Sequence, residues 1–285
     1  MDSFSAARAV VTGGASGIGL GLAAALLEDG ADRVVLADIE PGELSAAVAV
    51  LKARGLGDVE GAVCDVTDPA SVEALAVDVW SRLGGVEVVC LNAGVFAGGY
   101  SWETTLDDWD WVMGVNLRGM VNGVRSFLPR MIEAGVPSHV IGTASIAGIV
   151  ASPASAVYCT SKFAAVGLME SLQHDLALAD AAHVAISVIC PGMVKTNIDR
   201  GNRNRPTNLI DATKTDASNL AQQGIEDALR AGALDPFVGA RHALEQAKTG
   251  RFYVTTHEGD MWDRLVGNEN NDRLAGRRPR FQMYE

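Results

Sequence analysis

The chain has 285 residues, of which 48% are apolar, enough for a sizeable core and within the range of one large α/β domain. Its formal net charge is −12 at pH 7. So acidic a chain is not expected to have a surface that neutralises many phosphates, and we predict no nucleic-acid partner.

The amino-terminal segment and the cysteines indicate a cytoplasmic protein. MDSFSAARAVVTGG has one arginine and a short apolar run that leads into glycines, unlike a secretory signal. The longest apolar runs, such as Val184 to Cys190, have the length of a buried strand and are too short to cross a membrane. The four cysteines are far apart and lack metal-ligand spacing, so we expect no disulfide and no metal.

Short β-branched runs alternate with longer helical patterns through the first half of the chain. The predicted strands are ARAVVT, RVVLAD, VEGAVCD and VEVVCLN, and the helical patterns between them are GIGLGLAAALLED, ELSAAVAVLKAR and SVEALAVDVWSRL. This alternation is typical of βαβ units, which form a parallel sheet. The strands are almost continuously apolar, as expected when helices cover both faces of the sheet.

The second half continues the same pattern. A helical region runs from about Leu106 to Glu133, and after it come the strand SHVIGTAS, a helix from Ser155 to Leu178, and the strands VAISVIC and RFYVTT. Right-handed crossovers favour an α/β, Rossmann-type, doubly wound sheet of seven parallel strands in the order 3-2-1-4-5-6-7. Ligands then bind at the carboxyl ends of the strands. No linker divides the chain, so residues 1–285 are predicted to form one domain.

Two segments exceed what the strands and helices need. The polar stretch between Pro191 and Asp235 is too long for a connector and predicts a substrate lid with short helices, at about residues 193–235. It ends at Asp235-Pro236, which is typical of a helix start with proline in the first turn. The tail, residues 257–285, contains a short amphipathic helix and then the basic GRRPR.

The first strand leads into a glycine-rich turn. AVVTGGASGIG places Gly13, Gly17 and Gly19 between a strand and a helix. Glycine allows close approach of the backbone, and the start of the helix offers free N–H groups to a pyrophosphate. A plain tight turn is the alternative, but the βαβ context favours a dinucleotide site.

An acidic residue ends the second strand, nineteen residues after Gly19. Asp38 can accept hydrogen bonds from the adenosine ribose, and its charge would repel a 2′-phosphate. Ser16 and Ile39, where a compensating cation would be sought, carry no charge, so NAD is favoured over NADP. The alternative is that Asp38 is only a turn or capping acid.

Tyr158 and Lys162 lie one helical turn apart, so their side chains share a face of the helix. A nearby positive charge favours the phenolate, which lets tyrosine exchange a proton with an alcohol or ketone. Ser145 ends a preceding strand at the same sheet edge and can hold the substrate oxygen opposite the tyrosine. The alternatives are a packed tyrosine, a solvated lysine and a turn-forming serine.

Together these motifs resemble the short-chain dehydrogenase/reductase family. They are TGGASGIG, Asp38, Asp65, the NAG at 92–94, the NLRG at 116–119, Ser145, the YCTSK at 158–162 and the PGMVKT at 191–196. The resemblance covers roughly residues 5–198. It implies that Tyr158 is the acid/base, that Ser145 orients the substrate oxygen, and that Lys162 binds the nicotinamide ribose and lowers the tyrosine pKa. Asn116 would hold a water in a proton relay.

The resemblance also implies the residues around both ligands. Those for NAD are Gly13, Ser16, Gly17, Ile18, Gly19, Asp38, Ile39, Asp65, Val66, Asn92, Ala93, Gly94, Tyr158, Lys162, Pro191, Gly192, Val194 and Thr196. Candidate substrate residues beside Ser145 and Tyr158 are Val95, Phe96, Ile146, Ala147, Ala151, Pro153 and Met193. These are mainly apolar, which favours an apolar, aryl or polycyclic secondary alcohol or ketone.

Several alternatives stay open from the sequence. A 3-hydroxyacyl or 3-oxoacyl thioester is a second substrate class, and a non-catalytic NAD-binding protein is a second kind of function. The lid arginines Arg200, Arg203 and Arg205 can bind a substrate carboxylate or phosphate, or can be a solvated basic segment. His257 either reaches a pocket rim or is structural.

The long helices at 106–133 and 155–178 have more apolar surface than one sheet face covers. By resemblance, they would pair across a two-fold axis in a homodimer or homotetramer. Trp102, Trp109 and Trp111 would then serve either that interface or substrate access.

Overall fold

In the computed structural model, which describes residues 3–209 and 215–279, seven parallel strands form one sheet. Its order is β3-β2-β1-β4-β5-β6-β7, which confirms the predicted topology and the Rossmann-type fold. The strands are β1 (Arg8–Thr12), β2 (Arg33–Asp38), β3 (Asp58–Val63), β4 (Val88–Leu91), β5 (Ser138–Thr143), β6 (Val184–Ile189) and β7 (Tyr253–Val254).

Helices cover both faces of the sheet. They are α1 (Gly17–Glu28), α2 (Pro41–Ala53), α3 (Pro69–Leu83), α4 (Leu106–Met113), α5 (Gly119–Ala134), α6 (Ala156–Leu178), α7 (Asp216–Arg230), α8 (Pro236–Lys248) and α9 (Met261–Leu274). Alternate residues of the central strands enter different cores, because successive side chains of a strand point to opposite faces. Val10 packs with residues of α3, α5 and α6, whereas Val11 packs with residues of α1, α2 and α8.

Two helices, α3 and α8, begin at Asp-Pro pairs in the sequence. Asp68 accepts a hydrogen bond from the Ala70 amide at the start of α3. Asp235 accepts from the Phe237 and Val238 amides at the start of α8, which confirms the predicted helix start there. These side chains bond to N–H groups that have no partner within the helix.

The predicted helix from Leu106 to Glu133 is interrupted. Helices α4 and α5 are joined by a turn of π-helix at Gly114–Arg118, where one additional residue is accommodated in the turn. A change of hydrogen-bond spacing inside a continuous helix leaves no clear signal in hydrophobic periodicity. The predicted strand RFYVTT is also shorter than expected, since only Tyr253 and Val254 pair with β6.

The lid and the tail both fold onto the body of the protein. The lid contains 3-10 turns at Ile198–Asn204 and Thr207–Leu209 and the fifteen-residue α7, which is longer than the short helices expected. Residues 210–214 of the predicted lid, and residues 280–285 of the predicted tail, lie outside the described residues. Within the described part of the chain, no helix combines the length and apolar character that a membrane span requires.

The predicted tail helix is present as α9 and packs against the end of the sheet and against α6. Trp262 lies beside Tyr253, with ring centroids 6.4 Å apart. Arg273 donates a hydrogen bond to the Ile149 carbonyl at 2.8 Å and lies over the Phe163 ring. The tail of the same chain therefore partly covers Phe163 of α6.

Helices α1 and α8 approach closely at Gly21. A Cβ there would lie 2.4 Å from the Pro236 carbonyl oxygen, so Gly21→Ala should lower the free energy of unfolding by about 1–3 kcal/mol through overpacking. Urea unfolding measures this change. Gly267→Ala is the matched control, because its Cβ meets open space in α9 and alanine favours a helix by up to ~1 kcal/mol. Equal midpoints for the two variants would contradict the close approach.

Candidate functional site

A cavity of about 670 Å³ runs along the carboxyl ends of the strands. It is bordered by the glycine turn after β1, by Asp38 after β2 and by Tyr158 on α6. The predicted dinucleotide and substrate residues therefore share one space. In a doubly wound sheet this edge is where ligands bind.

Most of the predicted site residues border this cavity. They are Gly13, Ser16, Gly17, Ile18, Asp38, Ile39, Asp65, Val66, Asn92, Ala93, Gly94, Val95, Phe96, Ser145, Ile146, Ala147, Pro153, Tyr158, Lys162, Pro191, Gly192, Met193, Val194 and Thr196. Gly19 and Asn116 lie behind its wall, where both are buried. The expectation for Ala151 is wrong. It is exposed and does not border the cavity, whereas its neighbours Val150 and Ser152 do.

The glycine turn depends on backbone that only glycine adopts easily. Gly13 and Gly17 have φ of 63° and 54°, in the left-handed region. A Cβ on Gly19 would lie 2.1 Å from the Gly13 carbonyl oxygen. Gly19 therefore allows the turn to close against the helix, and its role is in packing rather than in lining the cavity.

Asp38 connects the end of β2 to this turn. Its carboxylate accepts hydrogen bonds from the Ala15 amide at 3.0 Å and the Glu40 amide at 3.2 Å. Burial raises the pKa of the Asp38 carboxyl, and these amides oppose that effect. The carboxylate is both a turn acid and a cavity residue, so the two interpretations made from the sequence do not exclude each other.

Asn92 holds the glycine turn from the opposite side. Its side-chain Nδ2 donates to the carbonyls of Thr12 at 3.0 Å and Gly13 at 3.3 Å. The backbone amides of Asn92 and Ala93 both donate to Thr12 Oγ1. The asparagine thus fixes the end of β4 to the end of β1, which are neighbouring strands.

Tyr158, Ser145 and Lys162 meet at the ends of β5 and α6. The side chains of Ser145 and Tyr158 face the same cavity and lie close enough for Ser145 to influence the titration of Tyr158. Lys162 Nζ lies 5.7 Å from the centroid of the Tyr158 ring and donates to the Thr143 carbonyl at 3.0 Å. Phe96 packs edge-on against the Tyr158 ring at 5.2 Å. The helical spacing of Tyr158 and Lys162 therefore does bring them together beside Ser145.

Burial governs the titration of this pair. It raises the pKa of Tyr158 to about 12, and the hydrogen bond from Ser145 acts in the opposite direction. It also lowers the pKa of Lys162 to about 8, because the charged form of each group is disfavoured away from water. We expected Lys162 to lower the tyrosine pKa. Among the protein's own groups, burial has the largest effect on Tyr158 and raises its pKa instead.

Asn116 lies in the π-helical turn and is completely buried. Its Oδ1 accepts from the Val95 amide at 2.8 Å, and its Nδ2 donates to the Val95 carbonyl at 3.0 Å and to Ser161 Oγ at 2.9 Å. The side chain therefore connects the loop after β4 to α6. This contact positions Val95, a cavity residue, and was not foreseen from the sequence.

Two of the three lid arginines, Arg203 and Arg205, form ion pairs with other parts of the protein. Arg205 is bonded to Asp108 at 2.6 Å, with 6% and 9% of the two side chains exposed, and it lies over the Trp111 ring. Arg203 binds Glu40 at 2.7 Å. The interpretation as a solvated basic segment is wrong for Arg205 and holds for Arg200, whose side chain is 76% exposed.

Sequence reasoning missed one wall of the cavity. It is formed by Leu220, Ala221, Gly224, Ile225, Ala228 and Leu229 of α7, and by Arg264 and Leu265 of α9; Trp111 of α4, one of the tryptophans considered for substrate access, also borders the cavity. The apolar residues of α7 recur at helical spacing, a signal that could have identified an apolar helix face within the polar lid. His257 does not border the cavity and contacts Thr256 Oγ1 through Nδ1, as in its structural interpretation.

The buried Lys162 charge should reduce stability at neutral pH. Below about pH 8, Lys162 is charged in both the folded and the unfolded protein, and its burial lowers the free energy of unfolding. Above pH 10.5 the lysine is neutral in both states, and this loss of stability disappears. Lys162→Met should therefore raise the free energy of unfolding at neutral pH by about 1–3 kcal/mol. The gain should shrink as the pH rises towards 10.5. Urea unfolding at neutral and alkaline pH measures the change in stability, and Lys52→Met, at an exposed lysine, is the control. A loss of stability in Lys162→Met at neutral pH would contradict the prediction.

Comparison with known proteins agrees with this geometry. Residues 7–207 match the family described as short chain dehydrogenase. A 1-deoxy-11-beta-hydroxypentalenate dehydrogenase from Streptomyces avermitilis is 45% identical over 195 residues, 68% of this chain and 70% of that protein. A C alpha-dehydrogenase from a Sphingobium species is 32% identical over 265 residues, 86% of this chain and 85% of that protein.

A solved structure covers the whole chain. The crystal structure of a short chain dehydrogenase/reductase from Burkholderia phymatum in complex with NAD is 36% identical, with a TM-score of 0.94 and 100% of both chains covered. The match includes the lid and the tail, which extend beyond the family match at residue 207. The chain is a member of the short-chain dehydrogenase family.

Proposed function

We propose that this protein is an NAD-dependent oxidoreductase that interconverts an apolar secondary alcohol and its ketone. The observation that carries the proposal is that Ser145, Tyr158 and Lys162 border the same cavity as the glycine turn and Asp38, with Lys162 Nζ 5.7 Å from the centroid of the Tyr158 ring. A protein that only binds a dinucleotide needs the turn and Asp38. It does not need a tyrosine, serine and lysine assembled where a substrate oxygen would lie.

The residues at the other end of the cavity fit NAD. The positive φ of Gly13 and Gly17 leaves the backbone at the start of α1 open to a pyrophosphate. Asp38 supplies a carboxylate for the ribose hydroxyls, and Ser16 and Ile39 beside it are uncharged. Arg203 also borders this region, but Glu40 pairs with it. The solved relative from Burkholderia phymatum contains NAD, in agreement with this choice.

Bound NAD supplies the hydride acceptor or donor of the reaction. The chain's own residues hold the substrate and move the proton. Ser145 and Tyr158 grip the substrate oxygen from two sides, and this orients the reacting carbon. In oxidation Tyr158 takes the hydroxyl proton, and in reduction it gives a proton to the ketone oxygen. Lys162 provides the buried positive charge that stabilises the phenolate.

The raised pKa of Tyr158 favours the protonated form of this residue. At neutral pH Tyr158, whose pKa is raised to about 12, is protonated, which is the form that a ketone needs. Alcohol oxidation requires the phenolate form of Tyr158, which additional positive charge near the ring would stabilise. We further propose that Asn116, whose side chain is held in the π-helical turn by Val95 and Ser161, holds a water in the proton relay.

The lining of the cavity supports the apolar substrate class. Around the Ser145–Tyr158 end lie Phe96, Trp111, Ile146, Val150, Leu220, Ile225 and Leu265. Such a wall suits a compact aryl or polycyclic molecule, because a sugar's hydroxyls would lack partners there. The 3-hydroxyacyl thioester alternative is less favoured for the same reason, since its carrier arm is long and polar.

Assembly, domain organisation and location stay predictions of the sequence. We propose one catalytic domain in a homodimer or homotetramer, which the exposed apolar side chains of Leu106 on α4 and Leu178 on α6 support.

Tyr158→Phe should lower turnover by about 10²–10⁴-fold, because it removes the proton-transferring hydroxyl and keeps the ring. NADH binding, followed by fluorescence, should be retained. Turnover is measured as NADH absorbance with NAD and a panel of apolar secondary alcohols. Tyr253→Phe is the matched control, since Tyr253 binds Glu170 outside the cavity.

Two results would count against the proposal. If Tyr158→Phe kept full turnover, the assignment of the acid/base would be wrong. If the wild-type protein bound NADH but turned over no alcohol or ketone in a broad panel, the non-catalytic alternative would replace it.

A further inference from the structure

The lid segment from Thr196 to Arg205, called the strap below, crosses the mouth of the cleft assigned above to NAD. At one end Thr196 lies against the glycine turn, because a Cβ on Gly17 would be 2.8 Å from Thr196 Cγ2. In its middle, Gly201 lies against the opposite wall, since a Cβ there would be 3.7 Å from Val95 Cβ. The strap therefore touches both sides of the cleft.

Glu40 attaches the strap at the adenosine end of the cleft. Arg203 donates to the Glu40 carboxylate from Nε at 3.1 Å and from Nη2 at 2.7 Å, and Asn204 Nδ2 donates to the same carboxylate at 2.7 Å. Glu40 follows two residues after Asp38, the carboxylate placed for the adenosine ribose. This contact joins segments that are 163 residues apart in sequence.

Two residues near the carboxyl end of the strap, Arg203 and Arg205, are held differently. Arg205 and Asp108 are almost completely buried, so separating them would leave an unpaired buried charge. The side chains of Arg203 and Glu40 are 35% and 23% exposed, so water can solvate both charges when they separate. Arg203 Nη1 donates to the carbonyls of Asn197 and Arg200 within the strap, so this arginine would stay with the strap.

We propose that the contact of Glu40 with Arg203 and Asn204 is a latch that retains NAD and NADH in the cleft and sets the rate at which they leave. The inference rests on the proposed function. Asp38 and Lys162 border one cavity that the strap crosses, so a dinucleotide reaching between them leaves only when the strap is displaced. The buried pair at Arg205 acts as the fixed point, and the strap residues before it open when Arg203 and Asn204 separate from Glu40.

Arg203→Gln should accelerate release of NADH by about three- to tenfold, the effect expected of a partly exposed bidentate ion pair. The protein is loaded with NADH and mixed rapidly with excess NAD, and the decay of NADH fluorescence gives the rate. Arg200→Gln makes the same charge change on an exposed side chain of the strap and should release NADH at the wild-type rate.

Glu40→Gln tests the same contact from its other side, and also serves if Arg203→Gln does not fold. It should accelerate release as much as Arg203→Gln, and the double variant should be no faster than either single variant, because all three lose one shared contact. Added salt should accelerate release from the wild type more than from Arg203→Gln, since salt screens the ion pair.

Each outcome decides between the two claims. Release from Arg203→Gln at the Arg200→Gln rate, with alcohol turnover intact, would overturn the latch and leave the proposed function standing. Rate increases that multiply in the double variant would also overturn it, because the two residues would then act separately. A wild-type protein that does not bind NADH would overturn both.

Discussion

The site depends on a lysine kept away from water. Lys162 is 3% exposed, and its ammonium donates to the carbonyl of Thr143, the last residue of β5. The carboxyl end of a parallel strand offers such carbonyls where its pairing stops, and α6 places the lysine there. The buried charge lowers stability, yet it is what can stabilise a phenolate one turn away on the same helix.

The surrounding packing holds the pair in place. A Cβ on Gly148 would lie 2.6 Å from the Lys162 carbonyl oxygen, so the short turn Ile146–Gly148 packs directly on the backbone of α6. Ser145 starts that turn, with its side-chain oxygen accepting from the Ala147 amide. The distance from Ser145 to Tyr158 is therefore set by glycine packing between two segments, rather than by the loop that joins them.

Features that depend on neighbouring residues were predictable from the sequence. Strand runs, the glycine turn and the helix start at Asp235 all have local signals, and right-handed crossovers then give the strand order. Features that depend on long-range contacts were not. The burial of Arg205 requires Asp108, and the covering of Phe163 requires Arg273 of the tail. The cavity wall from α7 was hidden because the whole lid is polar on average.

Long-range packing also explains why the sequence led us to expect that Lys162 lowers the pKa of Tyr158. Spacing along a helix gives proximity, and proximity alone suggests a lowered tyrosine pKa. The balance between charge and burial depends on the packing around both groups, including Phe96 from the loop after β4. Burial by residues distant in sequence therefore raises the pKa of Tyr158.

Titration of tyrosinate absorbance in the cofactor-free protein tests this account most directly. The difference between wild type and Tyr158→Phe isolates the signal of Tyr158. Since burial raises its pKa to about 12, the difference should show no tyrosinate below about pH 10, the ordinary pKa of tyrosine. A tyrosinate signal that appears near neutral pH would contradict the claim that burial dominates the pKa of Tyr158.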